Sequence, residues 1–306
     1  MLPLSIIGYP VEDALASATT TNTVMVASNT STSSSIIEDM PITQKVYFDV
    51  RISRSDGTFY VRDDDPPDNS VYRGRLTVGL FGTAAPNHVA NFLKYVNVTA
   101  DNALSDTPYP SYARSMFSSL DDTTGLISSG NIPGLEVSNI QGSAAIRYRD
   151  RVLSAPLWIE EIPSDSDSSA PLPTSISHTA KGLLTHRKLD LSPSFGITTY
   201  SDSRQLDGTH QVFGRLLDVD DLQNANGNNS SYKEFLNRCS EISRYSVDRP
   251  PAVSEEGVGR ILAANVYEKQ QKFFRGAAKA AGDTRIGKTY EGKFLRRVDV
   301  TQVGLL

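Results

Sequence analysis

The sequence predicts a mainly β fold, and two features of its 306 residues indicate this class. Several short segments alternate apolar and polar residues with the period of two that a half-buried strand requires. Glycine, proline, aspartate and serine separate these segments and provide turns. At this length, with 39% hydrophobic residues, the chain can bury a core as one large domain or two modest ones.

The first predicted elements are two strands and a helix. The strands lie at residues 45–52 and 75–81, and an acidic loop with two prolines separates them, so they can pair as a hairpin. The helix begins at Pro86, because proline suits the first helical turn. His88 lies between the core positions of this helix and is expected at the surface. Those core positions recur at helical spacing: Val89, Phe92, Leu93 and Val96.

The later segments predict short strands, loops and one more helix. Residues 101–177 are rich in turn-forming residues and predict loops with short strands. Trp158, the single tryptophan, is expected to anchor the core or a loop. A helix is predicted at 256–281, inside a helical insertion of about 240–290. Further strands are predicted at 182–185, at 195–199, after the Asp207-Gly208 turn up to Leu217, and at 297–303.

Residues 1–44 predict an extended arm ahead of one domain at 45–306. Fourteen of the nineteen residues at 17–35 are Ser, Thr or Asn, which leaves too little apolar surface to offset the entropy of ordering. The apolar start and the small residues near Ala14 resemble a targeting segment only weakly. A targeting segment normally begins with basic residues, and none precede this apolar start. It also continues with apolar residues, whereas here Glu12 and Asp13 follow.

Composition excludes several classes of protein. A net charge of −5 argues against binding to a nucleic-acid backbone, which needs a basic face. The single cysteine, Cys239, excludes an internal disulfide and any multi-cysteine metal site. No segment approaches the roughly 18 to 20 consecutive apolar residues of a membrane-spanning helix, so none is expected. The four histidines lack the close spacing of a metal site, and neither a metal nor a cofactor is expected.

One motif suggests a nucleotide site. Residues 282–289 match the phosphate-loop pattern G-x-x-x-x-G-K-[ST]. That site needs a strand before the loop and a helix after it, whereas here a predicted helix precedes and a predicted strand follows. Nucleotide binding is therefore the weakest of three functional hypotheses.

Several motifs, taken in order, resemble the cyclophilin family of peptidyl-prolyl isomerases. The most specific is LDGTHQVFG at 206–214. The resemblance covers about residues 44–217 and the final strand from Arg297. The other matching segments are VYFDV at 46–50, GRLTVGLF at 74–81 with Ala85-Pro86, Asn91-Phe92, YARSMF at 112–117, His178-Thr179 and GLL at 182–184.

The resemblance implies a closed eight-stranded antiparallel barrel capped by two helices, with an additional inserted helix before the last strand. A groove on its outer face would bind an X-Pro peptide without a cofactor. The cis and trans forms of the X-Pro bond differ little in free energy, but a barrier of roughly 18 to 20 kcal/mol separates them. In the family, an arginine directs hydrogen bonds at the proline amide and an apolar pocket holds the proline ring, which stabilises the transition state.

The catalytic residues of the family are not retained. Its His-Arg pair falls on Ser118 and Ser119, and a serine cannot supply the fixed donors of a guanidinium. Arg114 or Arg187 could substitute, although both are expected as solvated surface residues. The groove implied by the resemblance consists of Leu126, Ile127, Ser129, His186, Ser194, Gly196, Gln205, Leu206 and His210.

The leading hypothesis is therefore a protein-binding scaffold, assembly factor or accessory subunit with weak or no isomerase activity. The alternative is an active prolyl isomerase with a rearranged site that assists protein folding. The long insertions make the chain similar to the thylakoid-lumen cyclophilins of plants and algae. That similarity implies a chloroplast thylakoid location and a photosystem or other thylakoid complex as partner.

Overall fold

The computed structural model contains a closed barrel and a small separate sheet. It describes residues 37–61, 63, 69–96, 109–140, 143–160, 175–218, 232–246, 261–262, 265–270, 272–273, 276 and 290–306. Within these residues lie eleven strands: β1 Gln44–Ile52, β2 Tyr72–Leu80, β3 Met116–Asp121, β4 Leu126–Ser129, β5 Leu135–Ile140, β6 Ser143–Tyr148, β7 Arg151–Ser154, β8 Leu183–Arg187, β9 Phe195–Thr198, β10 His210–Leu217 and β11 Lys293–Leu305.

Eight strands close the barrel in the order β1-β11-β3-β4-β9-β8-β10-β2, and every neighbouring pair is antiparallel. This confirms the predicted eight-stranded antiparallel barrel and the β1–β2 hairpin. Strand β11 is longer than predicted and closes the barrel against β1, where Val46 lies opposite Leu305. The loop-rich middle of the chain also contains a three-stranded sheet, β5-β6-β7, outside the barrel.

The barrel interior is filled by aromatic and branched side chains, because alternate residues of each strand point inward. Along β1, Val46, Phe48, Val50 and Ile52 are buried, as their alternation predicts. Five aromatic rings form the centre of the core, with ring centroids 5.0 to 6.1 Å apart. These rings are Phe48, Phe92, Tyr112, Phe195 and Phe213.

Two helices pack against the barrel. Helix α1, Pro86–Val96, begins at the predicted proline and buries the predicted core face. The expected surface position of His88 is wrong: the residue is 1% exposed, because it faces the barrel and bonds to Glu160. Helix α2, Tyr232–Glu241, was not predicted at that position and buries Phe235, Leu236 and Cys239.

The described residues within 261–276 are helical, inside the range predicted for the inserted helix. Tyr267 packs there against Tyr245 and Tyr290, with ring centroids 5.9 and 5.6 Å away. Leu262 and Phe273 are 60% and 71% exposed, so they lie away from the barrel core. Among the described residues, no helix combines the length and apolar character needed to cross a membrane.

The predicted N-terminal arm lies mostly outside the described residues, which begin at 37. Ile37 is buried in a small cluster with Phe81 and Leu183, so the last part of the predicted arm packs on the barrel. The phosphate-loop match at 282–289 also lies outside the described residues. Residues 290–292 form a turn that leads into β11, so the helix that a phosphate loop requires does not follow Thr289.

Candidate functional site

A groove of about 320 Å³ lies on the outer face of the barrel. It is formed by β4, β8 and β9, by the start of β10 and by the turns beside them. Its volume is within the range of pockets that hold small ligands or side chains. The lining residues are Leu126, Ser128, Thr185, Arg187, Asp190, Ser194, Phe195, Gly196, Thr209 and His210.

Strand register places Ser119, which the sequence resemblance aligns with the family's arginine, on this face. Ser119 of β3 lies directly opposite Ser128 of β4, and Ser128 lies opposite Gly196 of β9. Gly196 in turn lies opposite Thr185 of β8. Residues directly opposite each other in an antiparallel sheet share a face, so Ser119 lies beside the groove. Ser119 therefore presents a short hydroxyl on the groove side of the sheet.

The floor of the groove at Gly196 is covered by the Leu126 side chain. A Cβ atom added at Gly196 would lie 2.5 Å from Cδ1 of Leu126, which is closer than real Cβ contacts allow. Leucine supplies apolar surface there, but it leaves no room for an aromatic ring at position 196.

The structure brings together four of the nine predicted groove residues: Leu126, Ser194, Gly196 and His210. Four others are buried instead of lining the groove: Ile127, Ser129, His186 and Leu206. Gln205 is exposed, and its Nε2 atom donates to the carbonyl oxygen of Thr123 at 2.7 Å. Six further lining residues were not in the predicted set: Ser128, Thr185, Arg187, Asp190, Phe195 and Thr209. The alternation of inward and outward side chains along β4 and β8 could have identified Ser128, Thr185 and Arg187. Consecutive residues of a strand face opposite sides of the sheet, so the neighbours of buried Ile127 and His186 face the groove.

A buried hydrogen-bond network supports one wall of the groove. His178 Nδ1 donates to Asp207 at 2.6 Å, and its Nε2 lies 2.8 Å from the hydroxyl of Thr185. Burial lowers the pKa of His178, and the Asp207 carboxylate offsets this only in part. Burial raises the pKa of Asp207, but hydrogen bonds from Ser177 and His178 outweigh it and hold the carboxyl pKa below its usual value. The hydrogen bond to His178 fixes the position of Thr185 in the wall of the groove, where the threonine side chain is itself fully buried.

Arg187 and His210 lie side by side on β8 and β10, where they are directly opposite each other. Burial, together with the smaller effects of the charges of His178, Arg187 and Lys188, lowers the pKa of His210 to about 4. His210 is therefore neutral at pH 7. The Arg187 side chain has no hydrogen-bond or ion-pair partner among the described residues, which leaves its guanidinium available to a bound peptide.

A second histidine packs behind the groove. The His186 ring stacks on Trp158, with centroids 4.0 Å apart, and its Nε2 donates to the carbonyl oxygen of Ser192. Burial lowers the pKa of His186 to about 4. Trp158 is 2% exposed, which confirms it as a buried anchor of its loop.

The start of α1 is tied to the same loop by Glu160. The Glu160 carboxylate accepts hydrogen bonds from the backbone N–H groups of Asn87 and His88 and from Nδ1 of His88 at 2.6 Å. Burial raises the pKa of Glu160, but these bonds outweigh burial and lower it below its usual value. A carboxylate at a helix N-terminus is also favoured by the helix dipole.

Within the part of the chain that the structure describes, no group of three or more His, Cys, Asp or Glu side chains is placed to hold a metal ion.

These features define a closed antiparallel β-barrel with a peptide-sized groove on its outer face. The model of the family described as cyclophilin type peptidyl-prolyl cis-trans isomerase/CLD matches residues 68–235, more than half of the chain. The chain therefore belongs to the cyclophilin-type peptidyl-prolyl cis-trans isomerase family. A comparison with curated proteins found no match.

Proposed function

We propose that this cyclophilin-type protein uses its barrel mainly to bind other proteins, as a scaffold, assembly factor or accessory subunit, with weak or no isomerase activity. The observation that carries the proposal is Ser119, which lies opposite Ser128 on the groove side of the sheet and which the sequence resemblance aligns with the family's arginine. Loss of one preorganised electrostatic donor typically slows an enzyme by about two to three orders of magnitude.

The groove keeps the features that binding requires. Leu126 gives it an apolar floor, and Arg187, Asp190 and Ser194 surround that floor with polar groups. Such a mixture of apolar surface and a few placed polar groups is typical of a binding site. Binding of a peptide does not require the transition-state contact that the missing arginine supplies, because only catalysis depends on that contact.

Arg187 supports an alternative proposal, an active isomerase with a rearranged site. It lines the groove from β8, two residues along the strand from Thr185, and so lies on the same face. A guanidinium approaching from this strand could direct its donors at a proline amide that lies over Gly196. Arg114, the other arginine considered, is exposed and is not among the residues that line the groove.

The two proposals are separated by measuring the cis-trans exchange rate of an Ala-Pro peptide by NMR, with and without the protein. We expect the wild type to accelerate exchange little or not at all. The Ser118→His, Ser119→Arg double variant should gain activity, because it restores the donors at the position that faces the groove. Arg187→Ala should leave the exchange rate of the wild type unchanged. The matched control is Arg114→Ala, which removes an exposed arginine outside the groove.

Substantial acceleration by the wild type that Arg187→Ala abolishes and Arg114→Ala preserves would establish the rearranged enzyme. A wild type without acceleration that still shows peptide-induced shifts of groove amides in the same spectra would support the binding role. A wild-type protein that neither accelerates exchange nor binds the peptide would contradict both proposals for the groove.

The thylakoid lumen and a photosystem or related complex remain our proposals for location and partner, and only the similarity to thylakoid-lumen cyclophilins supports them. Import of the labelled chain into isolated chloroplasts, followed by fractionation, tests the location. Recovery with the stroma or failure of import would contradict it. Co-migration with a thylakoid complex on a native gel tests the partner.

A further inference from the structure

A second cavity lies where α2 covers one end of the barrel. Its volume is about 600 Å³, within the range of pockets that hold ligands. One side of α2 forms one wall of the cavity. The end of β3 and the turns beside β8 and β9 form the other wall, which includes Leu120, Lys181 and Tyr200.

The lining of this cavity carries excess positive charge. Lys181, Lys233 and Arg244 line it, against the single carboxylate of Asp122. Arg244 pairs with Asp122 at 3.0 Å, and Lys233 pairs with Asp218 at 2.6 Å. Lys181 is exposed and has no hydrogen-bond or ion-pair partner in the described part of the chain. A ligand that carries negative charge would therefore complement this lining.

The other lining groups add apolar surface rather than free hydroxyl donors. Leu120 and Leu236 are 4% and 5% exposed and form the apolar part of the wall. The Tyr200 hydroxyl already donates to the carbonyl oxygen of Asp122 at 3.0 Å, which leaves the ring as the surface offered to a ligand. The hydroxyl of Thr199 likewise donates to a backbone carbonyl, that of Gly125. The lining thus suits carboxylates that lie next to an apolar side chain.

We propose that this cavity binds an acidic segment of a partner protein, in which an apolar side chain lies beside carboxylates. A peptide is favoured because the cavity is close to the groove along the chain. Tyr200 of the cavity follows Gly196 of the groove by four residues, which span at most about 14 Å. One extended partner segment could therefore reach both sites, a step that rests on the proposed function of the groove.

The experiment titrates the full-length ¹⁵N-labelled protein with the peptide Ac-Glu-Leu-Asp-Phe-NH₂ and, separately, with an Ala-Pro peptide. The acidic peptide should shift the amides of Lys181, Thr199 and Asn237, and added salt should weaken its binding. Lys181→Glu should weaken it about fivefold, because it replaces an attraction by a repulsion. Lys269→Glu makes the same charge change at an exposed residue outside the cavity and should leave the affinity within about twofold.

Two results would overturn the proposal: no shift at the cavity amides, or equal weakening by Lys181→Glu and Lys269→Glu. The Ala-Pro peptide reports on the groove independently. If it leaves the groove amides unshifted while the acidic peptide binds the cavity, the proposed function of the groove is wrong and the cavity site stands.

Discussion

At the scale of single residues, the buried histidines predict sensitivity to mild acid. His186 and His210 each have a pKa lowered to about 4 by burial, from a usual 6.5. Between these values the unfolded chain binds protons that the folded protein does not, so stability falls as the pH falls from 6.5 to 4. The effect of fully buried His186 is on the order of 3 kcal/mol, and that of half-buried His210 is smaller.

We expect His186→Phe to reduce this acid sensitivity. The phenyl ring can keep the stack on Trp158 but cannot titrate, while the hydrogen bond to Ser192 is lost. At pH 7 the variant should lose about 1 kcal/mol. Its free energy of unfolding should then fall less steeply than that of the wild type between pH 6.5 and 4. Urea denaturation at several pH values measures this, and equal slopes for the two proteins would show that His186 does not titrate as proposed.

Glu160 predicts a further loss of stability on acidification, in a lower pH range. Its lowered pKa means that its contribution is present above the usual carboxyl value of 4.5 and is lost as the pH falls through the folded value. Glu160→Gln should destabilise the protein by about 1 to 3 kcal/mol at pH 7, because a charged acceptor at the start of α1 is removed. The difference between variant and wild type should shrink below pH 4.5, as thermal unfolding can show. Asp202→Asn, at an exposed carboxyl, is the control and should have little effect.

At the scale of secondary structure elements, α2 is expected to contribute much of the stability at its end of the barrel. Phe235 is fully buried, and its ring centroid lies 5.1 Å from that of Phe117 and 6.2 Å from that of Tyr72. Phe235→Ala should therefore cost about 3 to 5 kcal/mol through lost burial and the cavity it leaves. Glu234→Ala, at the exposed neighbouring position, should change stability by less than about 0.5 kcal/mol. Chemical denaturation compares the two, and a small loss in Phe235→Ala would mean that α2 is only loosely docked.

The strands β1, β2, β8, β9, β10 and β11 and the helix α1 could be located from the sequence because each carries a clear pattern, whereas β3 to β7 were expected only as unplaced short strands. The alternation of apolar and polar residues in β1 and the proline at the start of α1 are local features, so they can be recognised without knowledge of the rest of the fold. Helix α2 was missed because its ten residues bury only Phe235, Leu236 and Cys239 among polar neighbours. Motif spacing located the groove along the chain, but the face taken by Leu126 or Ile127 depends on strand register, which the motif does not give.

At the scale of the whole molecule, the barrel depends on its last strand. Strand β11 pairs with both β1 and β3, and Leu306 N donates to the carbonyl oxygen of Lys45 at 3.0 Å. A chain that stops before Lys293 would leave two strand edges unpaired and remove buried Val298 and Val300. We expect such a truncation to lack a cooperative thermal transition and the dispersed amide spectrum of a folded barrel. A cooperative transition would show that seven strands suffice.

The pairing of β1 with β11 also constrains how the protein is made. About 240 residues separate Ile52 from Lys293, so β1 leaves the ribosome long before its partner is synthesised. At cellular translation rates, that interval is on the order of tens of seconds. Until β11 has been synthesised, β1 can pair with β2 but presents its other edge to the surroundings. The nascent chain therefore needs protection from aggregation during this interval, and the barrel can close only after β11 has left the ribosome.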